Sequence, residues 1–248
     1  MNPAEFANIA QSEQQFWWYR GMNLVLFRLL DRLTKANRFE RVLEAGCGTG
    51  YLAKLLGERY GWRMFPVDLG WEGLAFAKSM GVARLAQANI ARLPFGDSAF
   101  DAVVSMDVIV HFPLGEERGA MRELVRVLKP GGLMVLRVSA LDMLRSRHSE
   151  FAHERQRFTR RRLLQLVGAA GIAVERCTYA NSVLMPIAVA KFRVWEPLTR
   201  AAPASGVTPV HPLMNRILFA ALQFEASWLG SGRSFPVGQS LVLIGRKR

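Results

Sequence analysis

The sequence predicts an α/β fold built on a doubly wound parallel sheet. Three observations point there. Strand-like apolar runs alternate with helix-like segments from residue 41 to residue 138, the pattern of repeated βαβ units. The first strand, Arg41-Val42-Leu43-Glu44, runs into Ala45-Gly46-Cys47-Gly48-Thr49-Gly50. That puts a glycine loop at the carboxyl end of a strand, where doubly wound sheets bind ligands. The chain also closes on an apolar strand, 241–244, after a helical stretch.

Each element follows from local pattern. Residues 13–35 read as one helix, with Phe16, Leu24, Phe27, Leu30 and Leu33 near helical spacing. After the glycine loop, 51–60 is a helix ended by Gly61. Residues 62–67 are a strand closed by Asp68, 74–80 a helix stopped by Gly81, and 83–88 a strand. Residues 100–105 are apolar, as in a strand covered on both faces. A helix over 116–128 stops at Lys129-Pro130-Gly131-Gly132, and 133–138 is the next strand. Thr159 suits the N-cap of a helix over 159–170. Residues 172–178 form a strand, and 180–238 an insertion of two apolar helices around a Pro-rich loop (Pro197, Pro203, Pro209, Pro212). Residues 245–248 read as a basic tail.

Composition excludes several classes. The chain has 248 residues, 50 % hydrophobic and 21 % charged, so it is neither disordered nor fibrous. Two cysteines, Cys47 and Cys177, exclude a disulfide framework and a multi-cysteine zinc site. With four histidines, no metal is expected. The net charge of +13 points to an anionic partner. Residues 1–15 carry Glu5 and Glu13 and no apolar core, so no secretory leader is expected. No uncharged apolar run approaches the ~18 residues of a membrane span. The expected location is cytoplasmic, with peripheral contact at the inner membrane surface left open.

The glycine loop narrows the chemistry. A dinucleotide fingerprint has Gly-x-Gly-x-x-Gly, and here the last interval is one residue shorter. A phosphate loop needs Gly-Lys-Ser/Thr, which is missing. Glu44 sits just before the loop. A carboxylate there suits a cationic ligand better than a phosphate.

Glu44-Ala45-Gly46-Cys47-Gly48-Thr49-Gly50 resembles the E/D-x-G-x-G-x-G motif of class I S-adenosylmethionine-dependent methyltransferases. Further matches follow in order. Asp68, 18 residues past Gly50, resembles the acidic residue that binds the cofactor ribose. Gln87-Ala88-Asn89-Ile90-Ala91-Arg92-Leu93-Pro94-Phe95 resembles the adenine-binding segment, with Asn89 where Asp is usual. Phe100-Asp101-Ala102-Val103-Val104-Ser105, Asp107-Val108-Ile109-Val110-His111 and Arg126-Val127-Leu128-Lys129-Pro130-Gly131-Gly132 resemble later family stretches. The likeness covers 42–178. Phe16-Trp17-Trp18-Tyr19-Arg20-Gly21 and Arg157-Phe158-Thr159 resemble pieces of one bacterial subset, in which the N-terminal helix caps the cofactor.

The resemblance implies a Rossmann-like, seven-stranded, mostly parallel sheet with helices on both faces and a reversed last strand. An N-terminal helical cap and a helical insertion before the last strand complete it. The whole chain reads as one methyltransferase domain. Residues 1–40 are the cap, 41–179 the cofactor-binding core, 180–238 the insertion or lid, and 239–248 the last strand and tail. The implied cofactor is S-adenosyl-L-methionine, leaving as S-adenosyl-L-homocysteine. Glu44, Gly46, Cys47, Gly48, Gly50, Asp68, Leu69, Asn89, Ile90 and Met106 are its expected contacts. His111, Tyr19 and Asp107 are the expected catalytic residues, since His can take a proton at neutral pH. Trp17 and Trp18 read as lid packing, Asp101 as ordering a strand start and Phe100 as core.

Two regions bear on the acceptor. Residues 145–162 hold seven arginines (Arg145, Arg147, Arg155, Arg157, Arg160, Arg161, Arg162) against Glu150 and Glu154. They form either a solvated helix face or a site for an acceptor carboxylate or phosphate. His148 and His153 lie there without a third metal ligand. The insertion pairs apolar residues (Leu184, Ile187, Val194, Trp195, Met214, Ile217, Leu222, Phe224) with Lys191, Arg193, Arg200, Arg216 and Arg233. They read as core or oligomer interface, or as a lid over a greasy acceptor or a membrane-surface helix. The expected acceptor is a small-molecule or lipid-linked compound, met by a monomer or homodimer. The rivals are a nucleic-acid methyltransferase, for which charge speaks but no RNA module or Pro-Pro-Tyr/Phe motif does, and a non-catalytic S-adenosylmethionine-binding or membrane-surface protein. An NAD-dependent dehydrogenase is opposed by the glycine spacing.

Overall fold

The computed structural model describes residues 2–34, 38–199, 202–208 and 210–248. Arg200 and Pro209, singled out above, lie outside them, as does Lys35 at the end of the first expected helix. Among the described residues the strands are β1 (Arg41–Ala45), β2 (Arg63–Asp68), β3 (Ala86–Gln87), β4 (Phe100–Met106), β5 (Leu128–Ser139), β6 (Ile172–Ala180) and β7 (Ser240–Lys247). They form one seven-stranded sheet in the order β3-β2-β1-β4-β5-β7-β6. From β3 to β5 every pairing is parallel. β7 runs antiparallel to β5 and β6, with Val135 opposite Ile244 and Cys177 opposite Leu243.

Alternation along these strands sorts side chains into two clusters. Leu43, Val103, Met134 and Leu243 join one face, with Phe100 and Phe158 fully buried there. Val42, Ala102, Val135 and Val242 join the other. Helices α5 (Glu117–Val127) and α7 (Arg160–Ala169) cover the first face through Met121, Leu124, Leu163 and Val167. Helices α2 (Trp17–Thr34), α3 (Tyr51–Tyr60) and α10 (Pro212–Gly230) cover the second through Met22, Leu29, Leu56 and Leu229. The strand order reverses between β2-β1 and β4-β5, so the crevice for a ligand opens at the carboxyl ends of β1 and β4.

Several sequence expectations need correction. The N-terminal helix is two helices, α1 (Pro3–Ser12) and α2. Asn2 caps α1 by accepting from Ala4 N, and Pro3 opens it. Residues 13–15 form a turn, and Asn215 Oδ1 in α10 accepts from Trp17 N at the start of α2. That cap is 198 positions away, so no local pattern announces it. Helix α4 (Trp71–Ser79) begins three residues earlier than expected. β3 shrinks to two residues beyond the positive φ of Arg84.

Helix α5 ends at Val127, and Lys129-Pro130-Gly131-Gly132 belongs to β5. There Leu128 pairs with Phe100 before a register shift brings Leu133 opposite Ala102. The basic tail is mostly strand. Arg246 pairs with Glu175 at 2.7 Å, and Lys247 Nζ donates to Leu128 O at 2.7 Å.

The insertion's first helix is a composite of α8 (Met185–Ala190), a π-helical turn over Lys191–Trp195 and α9 (Glu196–Thr199). Its second, α10, lies against α2. A Cβ on Gly21 would fall 2.3 Å from Leu222 Cδ1, so the close approach requires glycine. The remaining helix is α6 (Arg147–Phe151).

Candidate active site

A cavity of about 790 Å³ opens at the carboxyl ends of β1, β2 and β4, beneath α1, the start of α2 and the insertion. Small-molecule sites run to ~300–1,000 Å³. Its floor is the glycine loop. Gly46 N and Cys47 N both donate to Val67 O, tying the loop to β2. Gly46 has φ +84°, and a Cβ there would stand 2.2 Å from Val108 Cγ2. Gly48 has φ +55°, and a Cβ there would meet nothing within 4 Å. It therefore exposes bare backbone to a ligand.

Asp68, at the end of β2, accepts from Gly48 N and Gly70 N at 2.8 Å each, one on each carboxylate oxygen. Burial pushes its carboxyl up, against those two bonds. Glu44 is buried, and its Oε2 lacks a partner. Burial, then Asp68 and Glu13, push its carboxyl well above the usual range. Burial likewise raises the Cys47 thiol, so it stays protonated.

The expected contacts converge with one exception. Glu44, Gly46, Cys47, Gly48, Asp68, Leu69, Asn89, Ile90 and Met106 all line the cavity, as do Tyr19, Asp107 and His111. Gly50 does not line it. It is the left-handed N-cap of α3, and a Cβ there would strike Ala77 at 2.5 Å. Asn89 Oδ1 accepts from Ala91 N at 2.9 Å, so the turn role is real alongside any ligand role. Leu69 stands at the rim, exposed.

On the acceptor side, His111 ends a 3₁₀ turn, and its Nδ1 lies 3.2 Å from His153 O. A carbonyl only accepts, so Nδ1 carries the proton and Nε2 is the free base. Burial lowers the His111 pKa, keeping it neutral near pH 7. Asp107 has φ +58° and accepts from Arg137 Nε at 2.7 Å, while its Oδ1 has no partner. Arg137 in turn lies under Trp18, 4.9 Å from the ring centroid. Burial, with Glu5 and Glu13, raises the Tyr19 phenol well above its usual range.

Sequence reasoning missed Glu5, Glu13 and Arg137, all of which line the cavity, as does Lys191 from the insertion. For Arg137 a signal existed. A lone charge in the apolar run Leu133-Met134-Val135-Leu136-Arg137-Val138 needs a buried partner.

The arginine-rich segment divides: Arg155, Arg160 and Arg161 are exposed, whereas the others bond within the fold. Arg145 donates to Glu154 O and Arg155 O, Arg147 to Glu196 O, Arg157 to Ala140 O, and Arg162 to Glu117. These guanidinium groups chiefly hold the chain's own loops, although Arg147 and Arg157 also line the cavity. Asp101 orders the strand start as expected, accepting from Glu40 N and Arg41 N. Among the described residues no His, Cys, Asp and Glu group could hold a metal. In the insertion Leu184 and Leu222 are buried as core, whereas Ile187, Val194, Trp195, Ile217 and Phe224 are exposed.

Known proteins resemble part of this chain. Residues 43–136 match the family described as a methyltransferase domain. The match takes in fewer than half of the chain's residues and agrees with the resemblance of the glycine loop to class I methyltransferases. A probable S-adenosylmethionine-dependent methyltransferase of Mycobacterium tuberculosis is 36 % identical over 121 residues, covering 48 % of this chain and 42 % of that protein. A probable tRNA methyltransferase 9B of Bos taurus is 34 % identical over 110 residues, covering 44 % and 23 %. The chain thus spans less than half the length of these relatives.

The geranyl diphosphate C-methyltransferase of Streptomyces coelicolor, solved with S-adenosyl-L-homocysteine, shares the fold. Its TM-score is 0.57 at 17 % identity, over 89 % of this chain and 77 % of that one. S-adenosyl-L-methionine is the cofactor that the resemblance implies, and the residues present fit it. The open backbone at Gly48 leaves room for a ligand, and the partnerless Glu44 oxygen suits its ammonium.

Proposed function

We propose that this chain transfers a methyl group from S-adenosylmethionine to a small-molecule or lipid-like acceptor. One observation carries the reading. A single cavity joins the glycine loop and Asp68 on one side to Asp107, His111 and Tyr19 on the other. Bound there, S-adenosylmethionine supplies an electrophilic methyl group on a sulfonium. The protein's task is to hold the acceptor in line with it and keep water out. His111, neutral and with Nε2 free, takes the acceptor's proton where one must leave. Asp107, fixed by Arg137, positions the acceptor, and Tyr19 stays a neutral phenol whose hydroxyl can donate to it.

The acceptor class rests on the insertion. Phe192 and Trp195 line the cavity, and Trp195, Leu198, Ile187 and Ile217 stay exposed beside Lys191, Arg193 and Arg216. An apolar rim with cations suits an amphipathic, anionic molecule presented from a membrane surface. No helix among the described residues is long and apolar enough to cross a membrane. The net charge of +13 and the tRNA methyltransferase relative favour RNA as the second reading.

The test supplies labelled methyl donor with total lipid, small-molecule and RNA fractions. Label entering a lipid or small-molecule fraction supports the proposal. Label confined to RNA, with binding that weakens steeply with salt, replaces it with the second reading. Donor binding without label in any fraction would leave only the non-catalytic protein.

A further inference from the structure

Two buried carboxylates with partnerless oxygens face the cavity from different parts of the fold. Glu44 comes from β1, inside the sheet. Glu13 comes from the turn between α1 and α2, outside the matched domain. Glu13 is 4 % exposed and Glu44 3 %. Glu13 Oε2 accepts from the Thr49 hydroxyl, within the glycine loop, at 2.5 Å, while its Oε1 has no partner. Glu44 Oε2 has none either. Among the described residues neither forms an ion pair.

Glu13 acts on Tyr19 of the cap, Glu44 of β1 and Tyr51 of α3; Arg137 acts on Tyr19 and Arg20 on Tyr51, but among the described residues no cation pairs with Glu13 or Glu44. Buried carboxylates left unpaired are costly, so this end of the cavity is built to receive a positive charge. An ammonium has three donors, enough to reach acceptors on both elements.

We propose that Glu13 is a second receptor, with Glu44, for the primary ammonium of the cofactor's amino-acid end. The cap thereby carries a selectivity residue. The inference rests on the S-adenosylmethionine reading above. Its consequence is that the amino-acid end of the ligand fastens the α1–α2 turn to the glycine loop. Phe16, Trp17, Trp18 and Tyr19, which begin three residues after Glu13 and line the cavity, are set in place with it.

The test titrates the full chain and Glu13→Gln with two ligands. One is S-adenosylhomocysteine. The other is 5′-deoxy-5′-methylthioadenosine, which keeps the nucleoside thioether but has no amino-acid portion. The proposal expects Glu13→Gln to weaken S-adenosylhomocysteine by about tenfold or more and to leave the smaller ligand within about twofold. Glu13→Asp, which keeps the charge, should lose less. Unchanged affinity for both ligands would overturn the proposal. Equal loss of both would also overturn it, since that is the mark of a structural residue. If the unaltered chain binds neither ligand, the cofactor reading itself fails, a result distinct from either.

Discussion

His111 shows how a single hydrogen bond assigns a chemical role. Its Nδ1 faces the His153 carbonyl, so the lone pair is on Nε2. Removing the ring in His111→Ala should lower the methyl-transfer rate by about 10²-fold or more while leaving S-adenosylhomocysteine affinity unchanged in the same preparation. A rate within a few-fold of the unaltered chain would make His111 structural. Phe100, fully buried against Phe65 and Phe95, is a pure core residue. Phe100→Ala should cost about 3–5 kcal/mol of stability in denaturant titrations. At this scale the sequence was most legible where chemistry clusters on one strand end. Glu44, Gly46, Gly48 and Asp68 could be named from the glycine loop together with the family motifs it resembles. Glu13 could not, because its neighbours Thr49 and Glu44 lie more than thirty residues away and are joined to it only by folding.

At the scale of elements, strands covered on both faces announced themselves as apolar runs. Helix ends announced themselves at Gly61 and Thr159, whose side chain accepts from Arg162 N. What escaped was set by partners distant in sequence. Helix α1 carries few large apolar residues and buries only Glu5 and Phe6. The break before α2 is capped from α10. The end of β6 is held by Glu225 of α10, which accepts from Asn181 N, Ser182 N and Val183 N. The α2–α10 contact yields a prediction with a telling sign. Glycine to alanine inside a helix normally gains up to about 1 kcal/mol. At Gly21 the new methyl would meet Leu222 at 2.3 Å, so Gly21→Ala should instead lose about 1–3 kcal/mol. A thermal melt should fall by several degrees, and an unchanged or higher Tm would show that the two helices can move apart freely.

For the whole molecule, the order β3-β2-β1-β4-β5-β7-β6 places the ligand crevice and the cap on one edge. The cost of gathering carboxylates there should appear in the pH dependence of stability. Burial pushes Glu13 up to about 7 from an ordinary value of 4.5. The folded chain therefore holds a proton there that the unfolded chain has released, between roughly those two values. The contribution is full below the unfolded value and is lost as pH rises through about 7. Without ligand, Tm should fall from pH 5 to pH 8 more steeply for the unaltered chain than for Glu13→Gln. Parallel curves would mean that Glu13 titrates alike in both states.

The central claim is that the crevice at β1 and β2 binds S-adenosylmethionine through the glycine loop and Asp68. Calorimetric titration of the purified chain and of Asp68→Ala tests it most directly. S-adenosylmethionine and S-adenosylhomocysteine are the ligands, with NAD as control. Both sulfur ligands should bind saturably and one to one, NAD should not bind, and binding should be lost in folded Asp68→Ala. Well-folded protein that binds neither sulfur ligand, or that binds them equally well without the Asp68 carboxylate, would contradict it.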